Sequence, residues 1–295
     1  ASGGNLSIAA TNTNGVANYN LKANGTSINT AAATASYAFN HTNITGNQNY
    51  ELEVTQGTTT IVKKFTAVVS PTVVSETIPA GLVDGINYNP NDATKATLVL
   101  DAPLKDFVYV AGSFNNWQPT AAYAMKKDAS AGSTKFWLEL TGLTAGTNYT
   151  YQYWVVDQTP LAGSPSLVKA ADPYSTLVLS PYDDGGIPAT SFPNLPAYPS
   201  GQEREVTWFK TGQTPYAWSQ ATLNFVKPAK EKLVVYEVLV RDFDARRNFQ
   251  DLIDKIDYFK NLKVNAIQLM PVMEFEGNES WGYNTSFHMA LDKFY

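Results

Sequence analysis

From Asn5 to Val69 apolar and polar residues alternate in short runs: Tyr19 and Leu21, Tyr37 and Phe39, Tyr50, Leu52 and Val54, then Ile61, Lys63, Phe65, Ala67 and Val69. A period of two sends successive side chains to opposite faces of a strand, so the pattern predicts half-buried β-structure. Asn24-Gly25, Gly46-Asn47 and Gln56-Gly57 interrupt the runs with residues that reach left-handed backbone angles at low cost, as hairpin turns require. Short strands at this spacing predict an immunoglobulin-like β-sandwich over residues 1–75.

A second set of runs, Leu98–Leu100, Phe107–Val110, Phe136–Leu140 and Tyr149–Val156, is punctuated by Gly112, Gly132, Gly142 and Gly146 and predicts another all-β sandwich over residues 76–180. Along its last run Tyr149, Tyr151 and Tyr153 share one face, expected in the core, and Trp154 takes the other. Five prolines between Pro181 and Pro199, with Asp183-Asp184-Gly185-Gly186 among them, predict extended chain, and residues 181–228 read as a Pro-rich connector packing between domains. The period then changes. Leu233–Val240 is a nearly continuous apolar run suited to a strand buried on both faces. Asn248 suits the N-cap of a helix whose apolar positions are Phe249, Leu252, Ile253, Ile256, Phe259 and Leu262. Val264–Met270 is a second buried run, stopped by Pro271. Strand, helix and strand over residues 229–295 predict a βαβ unit with parallel strands.

Hydrophobic residues make up 44% of the 295 and charged residues 16%, enough to build more than one core but with an uncharged polar surface. The net charge of −5 and the absence of a basic run exclude an electrostatic nucleic-acid footprint. Aromatics reach 13%, with 17 Tyr and 6 Trp, whose flat faces suit sugar rings as well as cores. With no Cys there are no disulfides or thiolate chemistry, and His41 and His288 stand too far apart in sequence to suggest a metal cluster, so no cofactor or metal is expected. No apolar stretch is long enough to span a membrane, no signal segment is visible, and Ala1 reads as a cut end.

Three blocks in the last segment carry a resemblance. Val235-Tyr236-Glu237-Val238-Leu239-Val240-Arg241-Asp242-Phe243 resembles the first barrel strand of glycoside hydrolase family 13, the α-amylase family. Val264-Asn265-Ala266-Ile267-Gln268-Leu269-Met270-Pro271-Val272 is similar to its second strand, and Glu274–Asn284 to the loop that leads toward the third. Upstream, Val108-Tyr109-Val110-Ala111-Gly112-Ser113-Phe114-Asn115-Asn116-Trp117 resembles family 48 carbohydrate-binding modules, and Asp172-Pro173-Tyr174 a motif found where such modules join the enzyme. The resemblance covers roughly residues 80–295. It implies an early-set or carbohydrate-binding-type sandwich and the opening of a (β/α)₈ TIM barrel truncated at Tyr295, which with the immunoglobulin-like sandwich read from the alternation make a multidomain chain.

The resemblance also implies a secreted or cell-surface bacterial protein acting on starch-like α-glucans, cleaving α-1,4 or α-1,6 glucosidic bonds with retained configuration. A non-catalytic glucan-binding surface protein and a branching or debranching enzyme of the same family stay open, as does the oligomeric state. The family's nucleophilic Asp, acid/base Glu and stabilising Asp belong to later strands, so no catalytic residue is assigned and the chain alone is expected to be inactive. Asp242, Asp244, Glu274, Glu276 and Glu279 follow barrel-type strands but read as loop carboxylates. Two substrate-binding residues are carried over. Tyr283 matches the aromatic that stacks on the sugar beside the cleaved bond, with Trp281 expected to support its loop from beneath. Trp117 matches a sugar-platform tryptophan that, in modules fused to barrels, packs at the interface instead. His288 receives no role.

Overall fold

The computed structural model describes residues 2–130, 132 and 134–295; Ala1, read above as a cut end, lies outside them. The described chain is mostly β-sheet with few, short helices. Its first strands are β1 (Gly4–Thr11), β2 (Ala17–Ala23), β3 (Thr26–Thr34), β4 (Ser36–Ile44), β5 (Gln48–Gln56) and β6 (Thr59–Ala67). β1 pairs antiparallel with β4, and a second sheet runs in the order β3-β2-β5-β6. The β2–β3 hairpin turns at Asn24 and Gly25, whose φ angles of 49° and 81° are the left-handed pair a tight hairpin needs. Ile8, Tyr19, Leu21, Tyr37, Tyr50 and Leu52 fill the core between the two sheets. Edge strand β6 leaves Ile61, Val62 and Phe65 exposed.

Next come β7 (Gly85–Tyr88), β8 (Ala96–Asp101), β9 (Phe107–Gly112), β10 (Lys126–Asp128), β11 (Lys135–Leu140), β12 (Tyr149–Val156), β13 (Leu167–Ala170), β14 (Val178–Leu179) and β15 (Val206–Phe209). One sheet has the order β10-β11-β8-β7. In the facing sheet β12 is central: β9 pairs along one edge, while β15 and then β13 share the other. Alternation along β9 and β12 divides their side chains. Val108, Val110, Tyr151 and Tyr153 enter the core between these sheets with Leu98, Phe136 and Phe209. Phe107, Tyr109, Ala111 and Trp154 form a second cluster on the opposite face, toward Val68 and Trp117.

β15 lies inside the segment read from its prolines as connecting chain. The four residues Val-Thr-Trp-Phe are a strand because β12 and β14 leave an open ladder that they complete. Proline content marks where chain is irregular, not where a short apolar run will dock.

The final strands are β16 (Val235–Val238), β17 (Ala266–Leu269), β18 (Met273–Phe275) and β19 (Thr285–Leu291). β16 and β17 pair in parallel, Val235 opposite Ala266 and Val238 opposite Leu269, and the chain between them passes through the helices Phe249–Asp254 and Ile256–Asn261. Asn248 caps the first helix as expected, its side chain accepting from the Gln250 and Asp251 amides. Leu252 and Phe259 are buried with Val238, Val240 and Phe275. The expectation of strands buried on both faces is not met. Leu233, Val234 and Val235 are exposed, as are Ile267 and Leu269, because a two-stranded sheet has helices for only one of its faces. The run expected to be strand through Val240 instead turns helical at Val240–Phe243.

Asp172 is the polar node of the β12 sheet. It is buried, and one carboxylate oxygen accepts from the Tyr151 and Tyr153 hydroxyls, each at 2.8 Å. Replacing it with alanine strands two phenol groups where water does not reach. Asp172→Ala is expected to destabilise the protein by about 3 kcal/mol, read from urea unfolding, with Asp172→Asn costing less because it keeps an acceptor.

Candidate functional site

The loop after β18 carries the first site residue named from sequence. Gly282 takes a φ of 84°, and a Cβ there would lie 2.5 Å from the Pro271 carbonyl oxygen, so the position requires glycine twice over. The Gly282 amide donates to Ser280 Oγ at 3.0 Å, Thr285 Oγ1 donates to the Gly282 carbonyl at 3.1 Å, and Ser280 Oγ bonds Asn284 Oδ1. Arg241, buried just past β16, donates from Nη1 to the Ser280 carbonyl at 3.0 Å. This bonding holds the backbone around Tyr283 and leaves its ring 70% exposed. Trp281, expected beneath the loop, is 64% exposed: the hydrogen bonds, not an indole, support the turn.

Of the five carboxylates named from sequence, Asp242, Asp244, Glu274 and Glu279 are engaged in ion pairs. Asp242 accepts from Arg241 Nε at 2.8 Å, which holds its carboxyl below the usual range. Asp244 accepts the Ala245 amide and pairs with Lys255 at 3.2 Å, and Glu279 pairs with Arg247 at 3.3 Å. Glu274 is buried against Lys293, whose ammonium also reaches Asp184 at 3.3 Å. His288 is exposed on β19.

Trp117 stands elsewhere, after a turn whose sequence explains its shape. A Cβ at Gly112 would meet the Thr150 carbonyl oxygen at 2.6 Å and the Phe114 ring, so the strand can turn there only as glycine. Asn115 locks the turn, accepting the Gly112 amide and donating to the Val110 carbonyl, both at 2.9 Å. Asn116 and Trp117 then both adopt left-handed angles, φ 52° and 58°. The half-buried indole packs beside the Trp154 cluster and lines a cleft of about 330 Å³ between the β5–β6 hairpin and the β12–β13 sheet. That cleft includes no residue beyond Glu203, so the fold does not bring Trp117 and Tyr283 into one site.

Sequence reasoning missed the cluster of Asp184, Glu274 and Lys293, because its members lie far apart in the chain and no short motif joins them. It pins the 180–187 segment to β18, with help from Asp183, which accepts the Gly277 amide at 3.0 Å. Burial pushes Glu274 up to about 7, against the pull of Lys293. Burial pulls the Lys293 ammonium down, but the charges of Glu274 and Asp184 outweigh it and hold its pKa above the ordinary lysine value. In the folded state Glu274 therefore keeps its proton to higher pH than its unfolded value near 4.5. Its contribution to stability is fully present below pH 4.5 and is lost as pH rises to about 7. Thermal unfolding followed across that window should show stability falling by at most about 1.4 kcal/mol per pH unit, with the slope reduced in Glu274→Gln.

No protein-family model matches the chain. Malto-oligosyltrehalose trehalohydrolase of Saccharolobus solfataricus is 38% identical over 72 residues, 24% of this chain and 13% of that protein. The 1,4-alpha-glucan branching enzyme GlgB of Cupriavidus pinatubonensis is 28% identical over 193 residues, 62% of this chain and 22% of that enzyme. The crystal structure of the Group B Streptococcus pullulanase SAP in complex with maltotetraose superposes on 98% of this chain and 39% of its own, with a TM-score of 0.51 and 18% identity, a likeness of fold. The chain thus spans a small part of the length of these curated relatives, 13% and 22%. It is similar over part of its length to a trehalohydrolase and a glucan branching enzyme and shares its fold with part of a pullulanase, in line with the resemblance to the α-amylase family, glycoside hydrolase family 13.

Proposed function

We propose that this chain is the N-terminal part of a secreted bacterial enzyme that cleaves α-1,4 or α-1,6 glucosidic bonds of starch-like glucans with retained configuration. Residues 1–75 are an immunoglobulin-like sandwich, 76–180 a carbohydrate-binding-type sandwich, 181–228 a connector that also lends a strand to that sandwich, and 229–295 the opening of a (β/α)₈ barrel. The observation that carries the reading is the parallel β16–β17 pair, crossed over by helices and followed by a loop that presents Tyr283 to solvent. Catalytic loops of such barrels follow the C-terminal ends of the strands, where Arg241 and the Tyr283 loop lie.

In this reading the chain positions substrate and does not break bonds. Tyr283 stacks on the apolar face of the sugar next to the scissile bond and displaces water from a ring that flattens toward an oxocarbenium ion. The ion-paired carboxylates near it hold the loop. Nucleophile and acid/base, which a retaining enzyme sets about 5 to 5.5 Å apart, come from later strands. A branching activity is the nearest alternative, supported by the 62% of the chain that aligns with a branching enzyme. A non-catalytic glucan-binding surface protein is the second, supported by the aromatic-lined cleft at Trp117.

Reducing-sugar release from soluble starch separates these readings. The protein ending at Tyr295 is expected to release none, and the full-length gene product to release it with kcat/KM lowered about tenfold or more by Tyr283→Ala. Release by the 295-residue chain alone would overturn the assignment of chemistry to later strands. A full-length product that changes the iodine absorbance of amylose without new reducing ends is a branching enzyme, and one that does neither but binds starch is the surface protein.

A further inference from the structure

The cleft beside Trp117 has a second wall, and it belongs to the first sandwich. Edge strand β6 supplies Phe65, 36% exposed and stacked on Tyr50 with ring centres 5.0 Å apart. Opposite stand Trp117 and, below it, the buried Trp154. The two walls are fixed relative to each other. Asn47 accepts the Val69 amide at 2.8 Å and donates to the Pro119 carbonyl at 2.8 Å, and Tyr109 donates to the Val69 carbonyl at 3.0 Å. Lys169 reaches across from β13 to Thr66 at 3.2 Å.

The charges in the cleft cancel locally. Lys64 pairs with Glu51 at 3.0 Å and Lys169 with Glu203 at 2.8 Å, while Lys169 also lies over the Trp154 ring at 4.9 Å. No unpaired charge therefore faces the cleft from these positions to recruit an ion. The walls offer instead the rings of Phe65 and Trp117 and the side-chain amides of Asn116, Gln118 and Gln202, which take no part in the bonds that hold the walls together. Amides donate and accept at once, which suits hydroxyl groups, and rings suit the apolar faces of pyranoses. The backbone beneath Trp117 adds a second observation. A left-handed angle is tolerated by asparagine but costs a bulky aromatic on the order of 1–2 kcal/mol, and the fold holds Trp117 there, at φ 58°, on the cleft wall. At about 330 Å³ the cleft lies at the lower end of the ~300–1,000 Å³ usual for small-molecule sites.

We infer that the cleft between the first and second sandwiches is a composite binding site for a short uncharged oligosaccharide, with Phe65 and Gln202 as binding residues alongside Trp117. The first sandwich, which no sequence motif connects to carbohydrate, is then half of a ligand site. The choice of an α-glucan as ligand rests on the function proposed above; the requirement for both walls does not.

Isothermal titration of the whole chain with maltotetraose tests this, with Phe65→Ala, Gln202→Ala, Trp117→Ala, Leu161→Ala and Tyr283→Ala in parallel. The first three are expected to weaken binding by about tenfold, the exposed Leu161→Ala, outside the cleft, to leave it unchanged, and oligogalacturonate of equal length to bind at least about tenfold more weakly. Gln202 lies outside any strand, just past the turn at Gly201, so Gln202→Ala tests the site even if loss of the Tyr50 stack makes Phe65→Ala unfold. Loss of binding in Trp117→Ala with full affinity in Phe65→Ala and Gln202→Ala would overturn the composite site and leave a one-sided tryptophan platform. Loss in Tyr283→Ala alone would place the ligand at the other loop and overturn it as well. If maltotetraose does not bind but cellotetraose does, with the same three losses, the two-walled site stands and the α-glucan reading falls; if neither binds, the site itself is refuted.

Discussion

Strand β12 is buried on both faces, and the middle of the molecule is arranged to make that possible. Tyr151 and Tyr153 point into one core and Trp154 into another, so a single eight-residue strand needs a packed layer on each side. Phenol and indole bring polar atoms with them. The phenols are satisfied by Asp172, whose own amide donates to Thr207 Oγ1 at 2.7 Å and whose second oxygen accepts the Tyr174 amide at 2.8 Å. One residue thus ties β12 to the turn after β13 through its carboxylate and to β15 through its backbone amide. Burial pushes its pKa up, while the hydrogen bonds it accepts favour the ionised form.

The second face of β12 explains why the first sandwich sits where it does. Phe107, Tyr109 and Trp154 would be an exposed aromatic patch without cover, and Val68 and the chain at Val69 provide it. Cover is incomplete where β6 and the 201–203 segment diverge, and the opening is the cleft that Trp117 lines. A binding surface here follows from two sandwiches packing through a limited contact.

The other end of the molecule is joined differently. Lys293, Glu274 and Asp184 form a buried ionic cluster that binds the segment leaving the second sandwich to β18. Ion pairs of this kind add little net stability over an apolar contact, but they penalise every arrangement that leaves one member unpaired, so they specify position. The position specified is that of β18, from whose end the Tyr283 loop departs.

Period-two alternation, the Asn24-Gly25 turn and the Asn248 cap were legible in the sequence because each is a local demand of backbone geometry. The parallel pairing of β16 and β17 was legible too, since strand, helix and strand in that order leave few other arrangements. What the tertiary structure alone decided was which faces are covered. The apolar runs at Leu233–Val240 and Val264–Met270 look identical whether a neighbour lies over them or not, and here part of each is open to solvent. Strand β15 was hidden among prolines, because a run of four residues becomes a strand only when an open ladder is waiting beside it. Phe65 read as one more alternating strand residue, and Glu274 as a loop carboxylate. Their surroundings are assembled from segments many residues apart, and no local pattern encodes that meeting.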